Sequence, residues 1–315
     1  MAKVDRNKPV RSRGSESEYS LMEFAREFPD DAACLEYLWR SRFSEDGSYA
    51  HCPKCQRTRK FHRVKSRPSW SCDSCGRHIH PTAGTIFHKS PTSLQLWFYV
   101  MYVMTSTRCG ASAKAIEREI GVGYKTAWRM CNLIRTHLMT QEDDTYLAGE
   151  VEADETAYGG KPKASMTRGM SMSEAQKYAK DKKTGVVAMV ERGGRVRAYV
   201  QPRDGALETV SQHVHATAVV YTDEWAGYRH LHTTHPMHLT IRHTDRVYAS
   251  GDVHTQTIEG FFGNFKNGIA GNYHGVSVKW LQSYINEYCW RYNHRNDGRG
   301  MFVELVCRAA SVQAD

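Results

Sequence analysis

Residues 147–155 read LAGEVEADE and residues 218–224 read AVVYTDE. In the first stretch the two-residue period of extended chain puts Glu150, Glu152 and Asp154 on one face of a strand. Three acids in a row repel one another unless a cation or lysines face them. In the second, a short apolar strand delivers Asp223 at its end, ahead of Trp225 and a Gly227-Tyr228 turn. Active-site residues of α/β sheets tend to stand at strand ends of this kind.

Outward from these stretches the texture alternates, with β-branched residues and glycines. Strands are predicted at 147–154, 185–191, 195–200, 218–222 and 238–242, with a helix at 205–215. Residues 159–183, basic and polar, read as a long mobile insertion after the first strand. Helices at 255–268, 277–293 and 301–312 complete the chain. Glu259 falls one turn into the first of these, beside Phe261, Phe262 and Phe265, so that helix has an apolar side to dock on a sheet. Three strands, a helix, a strand and a late helix give an α/β catalytic domain: a ribonuclease-H-like mixed sheet with flanking helices. Two-metal phosphoryl transfer needs hard oxygen ligands from separate elements, holding two Mg²⁺ about 3.5–4 Å apart. A strand aspartate, an aspartate at a neighbouring strand end and a helix glutamate meet that need. Glu152 and Glu155, the other acids beside Asp154, fall outside this triad, and their alanine variants are expected to keep measurable cleavage.

The amino-terminal part carries a different signal. Cys52-Pro-Lys-Cys55 and Cys72-Asp-Ser-Cys75 are separated by 16 residues. Each pair can turn two thiolates toward one ion, and together they complete the closed tetrahedron of structural Zn²⁺. The residues between them are strand-like and basic, with Phe61 and Trp70 interleaved, as in a zinc ribbon. His51, His78, His80 and His88 lie nearby but are not needed as ligands. Cys34, Cys109, Cys131, Cys289 and Cys307 are scattered on predicted helices and read as core. Helices at 20–28 and 30–42 precede the ribbon, and one after Pro91 follows it. Then 112–120 and 124–139, joined by Gly121-Val122-Gly123, read as a helix-turn-helix-like segment. Its second helix carries Tyr124, Lys125, Thr126, Arg129 and Arg135, residue types that meet base edges and phosphates in the major groove.

The bulk numbers agree. The 315 residues suffice for about two domains, and 40% hydrophobic with 24% charged residues is ordinary for a globular protein. An excess of 43 basic over 34 acidic residues, net +9, suits a polyanionic partner. No apolar run reaches the roughly 20 residues of a membrane helix. The basic, then polar start lacks the apolar core of a signal peptide, so a cytoplasmic, nucleoid-associated protein is expected.

Taken together, HCPKC…CDSC, TAGTIFHKSPTSLQLW, KTAWRMCNLIR, VEADETAYGGK, VYTDEWAGY, GDVHTQTIEGFFGNFKNGIAGNYHGVS and EYCWRYN resemble the bacterial DDE insertion-sequence transposases of the ISXO type. These join a zinc ribbon to a ribonuclease-H-like domain, and the resemblance spans about residues 25–310. It implies a triad of Asp154, Asp223 and Glu259 holding Mg²⁺, with Mn²⁺ as a substitute. The 35 residues between Asp223 and Glu259 match the family's D-(35)-E interval. Lys266, two helical turns beyond Glu259, matches the family's trailing basic residue, placed to meet a transposon-end phosphate. The resemblance departs at Gln256, where asparagine is usual, and at Trp280, where histidine is common.

The expected organisation is a disordered basic segment at 1–16, helices at 17–45, the zinc ribbon at 46–90 and a helical DNA-binding segment at 91–140. The DDE domain follows at 145–295 and a C-terminal helix at 296–315. The resemblance implies a transposase acting on double-stranded DNA, both transposon ends and target, as a homodimer or larger assembly. The alternative is a catalytically inactive, domesticated zinc-ribbon DNA-binding protein. A zinc-ribbon nuclease would share the metal chemistry but leaves two DNA-reading modules unexplained.

Overall fold

The computed structural model describes residues 19–107, 109–141, 145–159, 164–181, 183–201, 205–241 and 254–311. The basic segment 1–16 lies outside them. The described residues form two compact units, one running to Met139 and resuming at His294, the other spanning Thr140–Asn293. Among the described residues, no helix is long and apolar enough to cross a membrane.

In the first unit, α1 (Leu21–Glu27) starts with a capping box: Glu23 N donates to Ser20 Oγ, and Ser20 N donates to Glu23 Oε2. Asp30 caps α2 (Asp31–Arg42) through the Ala33 amide. Strands β1 (Tyr49–Cys52), β2 (Arg57–Val64), β3 (Ser69–Cys72) and β4 (His78–Ile79) make an antiparallel sheet in chain order. Trp39 of α2 stacks on Trp70 of β3 with centroids 4.7 Å apart and rings 5° from parallel. Three helices follow: α3 (Leu94–Ser106), α4 (Ala113–Ile120) and α5 (Tyr124–Leu133). Gly121 closes α4 at φ +69°, a left-handed position that glycine enters without steric cost. The helix expected to run to 139 widens after α5 into a π turn, Ile134–Leu138.

The last helix, α10 (Arg299–Ser311), belongs to this unit rather than to the acidic one. Phe302 explains why: it packs against Tyr19, Phe24, Phe28 and Phe98, so a helix from the end of the chain completes the core of its beginning.

The second unit is built on a five-stranded sheet. Its strands are β5 (Glu150–Tyr158), β6 (Thr184–Glu191), β7 (Val196–Gln201), β8 (Val219–Thr222) and β9 (His238–Thr240), in spatial order β7-β6-β5-β8-β9. β5, β6 and β7 are antiparallel neighbours, whereas β8 and β9 run parallel to β5. This is the ribonuclease-H-like mixed sheet. α7 (Ala206–His213) covers one face, where Val151, Ala153, Val187, Met189 and Val210 share a core. α8 (Gln256–Gly268) and α9 (Val278–Asn293) cover the other, with Val186, Ala188, Val190, Phe261, Phe265 and Ile285 between. Gly268 lets the two helices close up, because a Cβ there would come within 1.5 Å of the Tyr288 hydroxyl.

Two details go beyond the expected elements. β5 runs to Tyr158, four residues past the expected end, because β6 pairs with it from Val151 to Tyr158. The stretch 159–183, expected as a mobile insertion, contains among its described residues α6 (Met172–Asp181), which starts where Glu174 and Ser171 bond each other's backbone N–H.

Candidate metal centres and nucleic-acid face

Cys52 ends β1, Cys72 ends β3, and the tight turns after each strand carry Cys55 and Cys75. The antiparallel register brings the two turns side by side. All four Sγ atoms lie within 4.8 Å of one another, and Cys52 Sγ is 3.6 Å from Cys75 Sγ. Burial opposes the Cys52 thiolate, but amide donors at Cys55 and Lys54 and the neighbouring thiols outweigh it and hold its pKa at about 7. Two buried and two half-buried thiols converging from two turns fit a closed Zn²⁺ tetrahedron.

The acids converge midway along β5, just past the point where its pairing with β8 stops. Asp154, opposite Ala188, lies on the α8 face, and Glu155, opposite Val187, on the α7 face. Successive strand residues point apart, so Glu155 is not expected to share a site with Asp154. The sheet edge changes this. β8 pairs with β5 only through Glu150, Glu152 and the residue between, so among the described residues no strand pairs with that flank of β5 beyond Glu152. Asp223 follows β8 on that side, where its Oδ1 accepts from the Trp225 amide. Carboxylate oxygens of Asp154, Glu155 and Asp223 lie within 4.8 Å of one another.

These groups stress one another. Burial, then the charges of Asp223 and Glu259, push Asp154 up to about 6, only partly offset by the Glu155 amide and Lys266. Burial and the charges of Asp223 and Asp154 push Glu155 up to about 7. Glu155 Oε2 is buried near the Tyr228 hydroxyl, which partly offsets the rise, and among the described residues it has no well-formed hydrogen bond. Burial and the same carboxylates drive the phenol of Tyr228 well above its usual range. Crowded acids with a buried oxygen that no well-formed hydrogen bond answers are a donor set that a hard divalent cation satisfies. Glu259 stands on the exposed side of α8, held by a 3.1 Å bond from Thr255 Oγ1, and its charge reaches Asp154. Lys266 is exposed two turns further along, 5.7 Å from the centre of the Phe262 ring.

On α5, Lys125 and Arg129 are exposed, one turn apart, beside exposed Tyr124. Arg135 is a correction. It lies one turn past buried Cys131, inside the π turn, and is 1% exposed. Its guanidinium donates to the carbonyl of Ala111, 3.0 Å away, and so holds the start of the helical pair instead of facing solvent.

Sequence reasoning also missed Glu152 and Arg192. Glu152 is wholly buried, and Arg192 donates to it at 2.9 Å and to Glu150 at 2.7 Å. The alternation showed three acids on one face. It could not show that an arginine 40 residues later answers two of them.

A four-thiol ribbon in one chain with a ribonuclease-H-like sheet, acids clustered where its adjacent strands β5 and β8 stop pairing, has the architecture of the DDE transposases. Comparison with known proteins agrees. Residues 146–293 match the ISXO2-like transposase domain and residues 29–78 the transposase zinc-ribbon domain. The chain thus carries two stretches similar to the two domains of insertion-sequence transposases. It is also 28% identical over 254 residues, 76% of its length, to a protein of Halobacterium salinarum described as an uncharacterized protein in transposable element ISH50, of which 83% is covered. No solved structure matches the chain.

Proposed function

We propose that this transposase binds the inverted-repeat ends of its element, cleaves DNA there by two-metal phosphodiester hydrolysis and transfers the freed 3′-hydroxyl to target DNA. The observation that carries the reading is the meeting of Asp154, Glu155 and Asp223 at the flank of β5 beyond Glu152, with Glu259 acting on Asp154 from α8. Asp154, Asp223 and Glu259 hold the cations, and Glu155 adds a donor that sequence placed outside. When bound, the cations supply activation of the attacking oxygen and stabilisation of the leaving one. Lys266, exposed on the helix of Glu259, meets an end phosphate. Two ends must be held together for strand transfer, which calls for a homodimer or larger assembly on DNA. The direct test incubates the protein with labelled end DNA and Mg²⁺ and sequences the products. Nicks at the element ends support the reading, and binding without nicking leaves the inactive DNA-binding alternative.

The crowded acids predict a pH signature. Unfolded carboxylates titrate near about 4, whereas Asp154 and Glu155 titrate at about 6 and about 7. The folded, metal-free state therefore binds these protons more tightly than the unfolded chain. Their contribution to stability is complete below about pH 4 and is lost as pH rises through 6 and 7. A cation binding the deprotonated form reverses that loss. Added Mg²⁺ should raise the melting temperature distinctly at pH 8 and hardly at all at pH 5. Equal increments at both pH values would count against a carboxylate site.

The exposed face of α5 gives a second test. Arg129→Ala should weaken end binding about tenfold, lower the salt slope by about 1 and leave cleavage chemistry intact at saturating protein. Arg135→Ala should instead lower thermal stability, on the order of 1–3 kcal/mol, since it strands the Ala111 carbonyl. Titrations at fixed salt together with melts separate the two. Unchanged affinity in Arg129→Ala makes the helix structural and leaves DNA reading to the ribbon.

A further inference from the structure

The helix that carries Glu259 lacks a cap of its own. Its N-cap residue is Thr255, whose side chain bonds Glu259 rather than a free backbone N–H of the first turn. Those amides are answered from a distant strand. Glu152 Oε2 accepts from the amides of Thr257 at 2.8 Å and Ile258 at 3.0 Å, the second and third residues of α8. Its Oε1 accepts from Thr257 Oγ1 at 2.9 Å and from Arg192 Nε at 2.9 Å. The amides are those that a local cap would satisfy, and a carboxylate at a helix N-terminus also meets the positive end of the helix dipole. Glu152 has no exposed surface. Burying a lone carboxylate is costly, and these donors, with Arg192 as counter-charge, offset the cost. Arg192 is itself fixed, donating to Glu150 and to the His254 carbonyl and lying 4.1 Å from the centre of the Tyr221 ring.

Glu152 stands two residues before Asp154 on the same face of β5. One carboxylate thus pins the start of the Glu259 helix to the strand of Asp154. We propose that Glu152 is a positioning residue, which sets the distance between the helix acid and the strand acid and so the shape of the cation site. The proposal rests on the reading of Asp154 and Glu259 as cation ligands. Glu152 touches neither substrate nor cation; it acts through the helix.

The test measures Mn²⁺ binding to the DNA-free, zinc-loaded protein by titration calorimetry, beside the Mg²⁺ dependence of cleavage and the melting temperature. Glu152→Gln keeps the volume but loses the charge that answers the amides and Arg192. Glu152→Asp keeps the charge and withdraws it by one methylene, so it remains informative where the glutamine variant fails to fold. Both should weaken Mn²⁺ binding on the order of 10–100-fold, the usual cost of removing an outer-shell support. Both should need correspondingly more Mg²⁺ for half-maximal cleavage, recover rate at high Mn²⁺, and bind end DNA as the parent does. A fall in melting temperature with unchanged Mn²⁺ affinity would overturn the proposal and make Glu152 purely structural. Asp154→Asn and Glu259→Gln are measured in parallel. If they weaken Mn²⁺ binding and the Glu152 variants do not, positioning alone is refuted. If they too leave it unchanged, the cation reading fails and the proposal with it.

Discussion

Asp154→Ala, Asp223→Ala and Glu259→Ala should each lower end cleavage and strand transfer by about 10³-fold or more while end-DNA binding persists. Each removes an oxygen ligand from cations whose charge stabilisation is worth several kcal/mol, and about 4 kcal/mol is already a thousandfold in rate. On the proposed reading binding rests on basic residues elsewhere, so losing an acid should leave affinity level or slightly higher by relieving carboxylate–phosphate repulsion. Ca²⁺ should support binding without cleavage, since its larger, looser shell does not hold in-line geometry, and Mn²⁺ should replace Mg²⁺. Glu155→Ala tests the fourth acid. It should demand more metal yet still cut at high Mn²⁺, because it removes a donor from the group without dismantling the triad. Gel assays of cleavage and binding on the same end duplex decide the matter. Three triad variants that still cut would refute the metal-nuclease reading, and a dead Glu155→Ala beside an active Glu259→Ala would move the third ligand from the helix to the strand.

Removal of zinc should have the next largest effect. Metal analysis should find one Zn²⁺ per chain, and Cys72→Ser or a strong chelator should remove it and unfold the ribbon. The ribbon's own buried apolar side chains are few: Ala50, Phe61 and Trp70, leaning on Leu35 and Trp39 of α2. A core of that size cannot order four short strands unaided, whereas structural Zn²⁺ supplies about 10–16 kcal/mol in comparable small sites. Loss of the Trp39–Trp70 stack should appear as a change in tryptophan fluorescence, with end affinity falling alongside. The Thr140–Asn293 unit has its own core and should keep its melting transition. Absence of zinc, or a Cys72→Ser protein with undiminished zinc, would rule out the four-thiolate site.

Much of this molecule is local enough to be read from the chain. Two C-x2-C pairs around a basic hairpin announce the ribbon because thiolate turns are a short-range device. The β5 and β8 stretches announce themselves by alternation and apolar runs, and Asp154 and Asp223 by their places on or just after those strands. The helical phase of Phe261, Phe262 and Phe265 likewise orients α8 on the sheet.

Other features needed the tertiary structure because they join residues that no periodicity relates. Glu155 enters the acid group only because β8 stops pairing with β5 at Glu152 and leaves the flank beyond it without a paired strand among the described residues, a matter of register between strands. Arg135 lies on a basic helix in sequence, but it is turned inward one turn past Cys131 to hold a carbonyl 24 residues away. α10 follows the acidic unit in the chain and folds with the other unit because Phe302 fills a pocket of aromatic residues near the amino terminus. Glu152 looks like one more strand acid until α8 brings its unsatisfied amides against it, 105 residues on. The sequence by itself determined most of the elements and the stretches in which candidate ligands fall, since propensity, period and ligand spacing act over a few residues. Which acids meet, which are neutralised and which helix each one holds were decided by the fold, because charges and free amides find partners by distance in space.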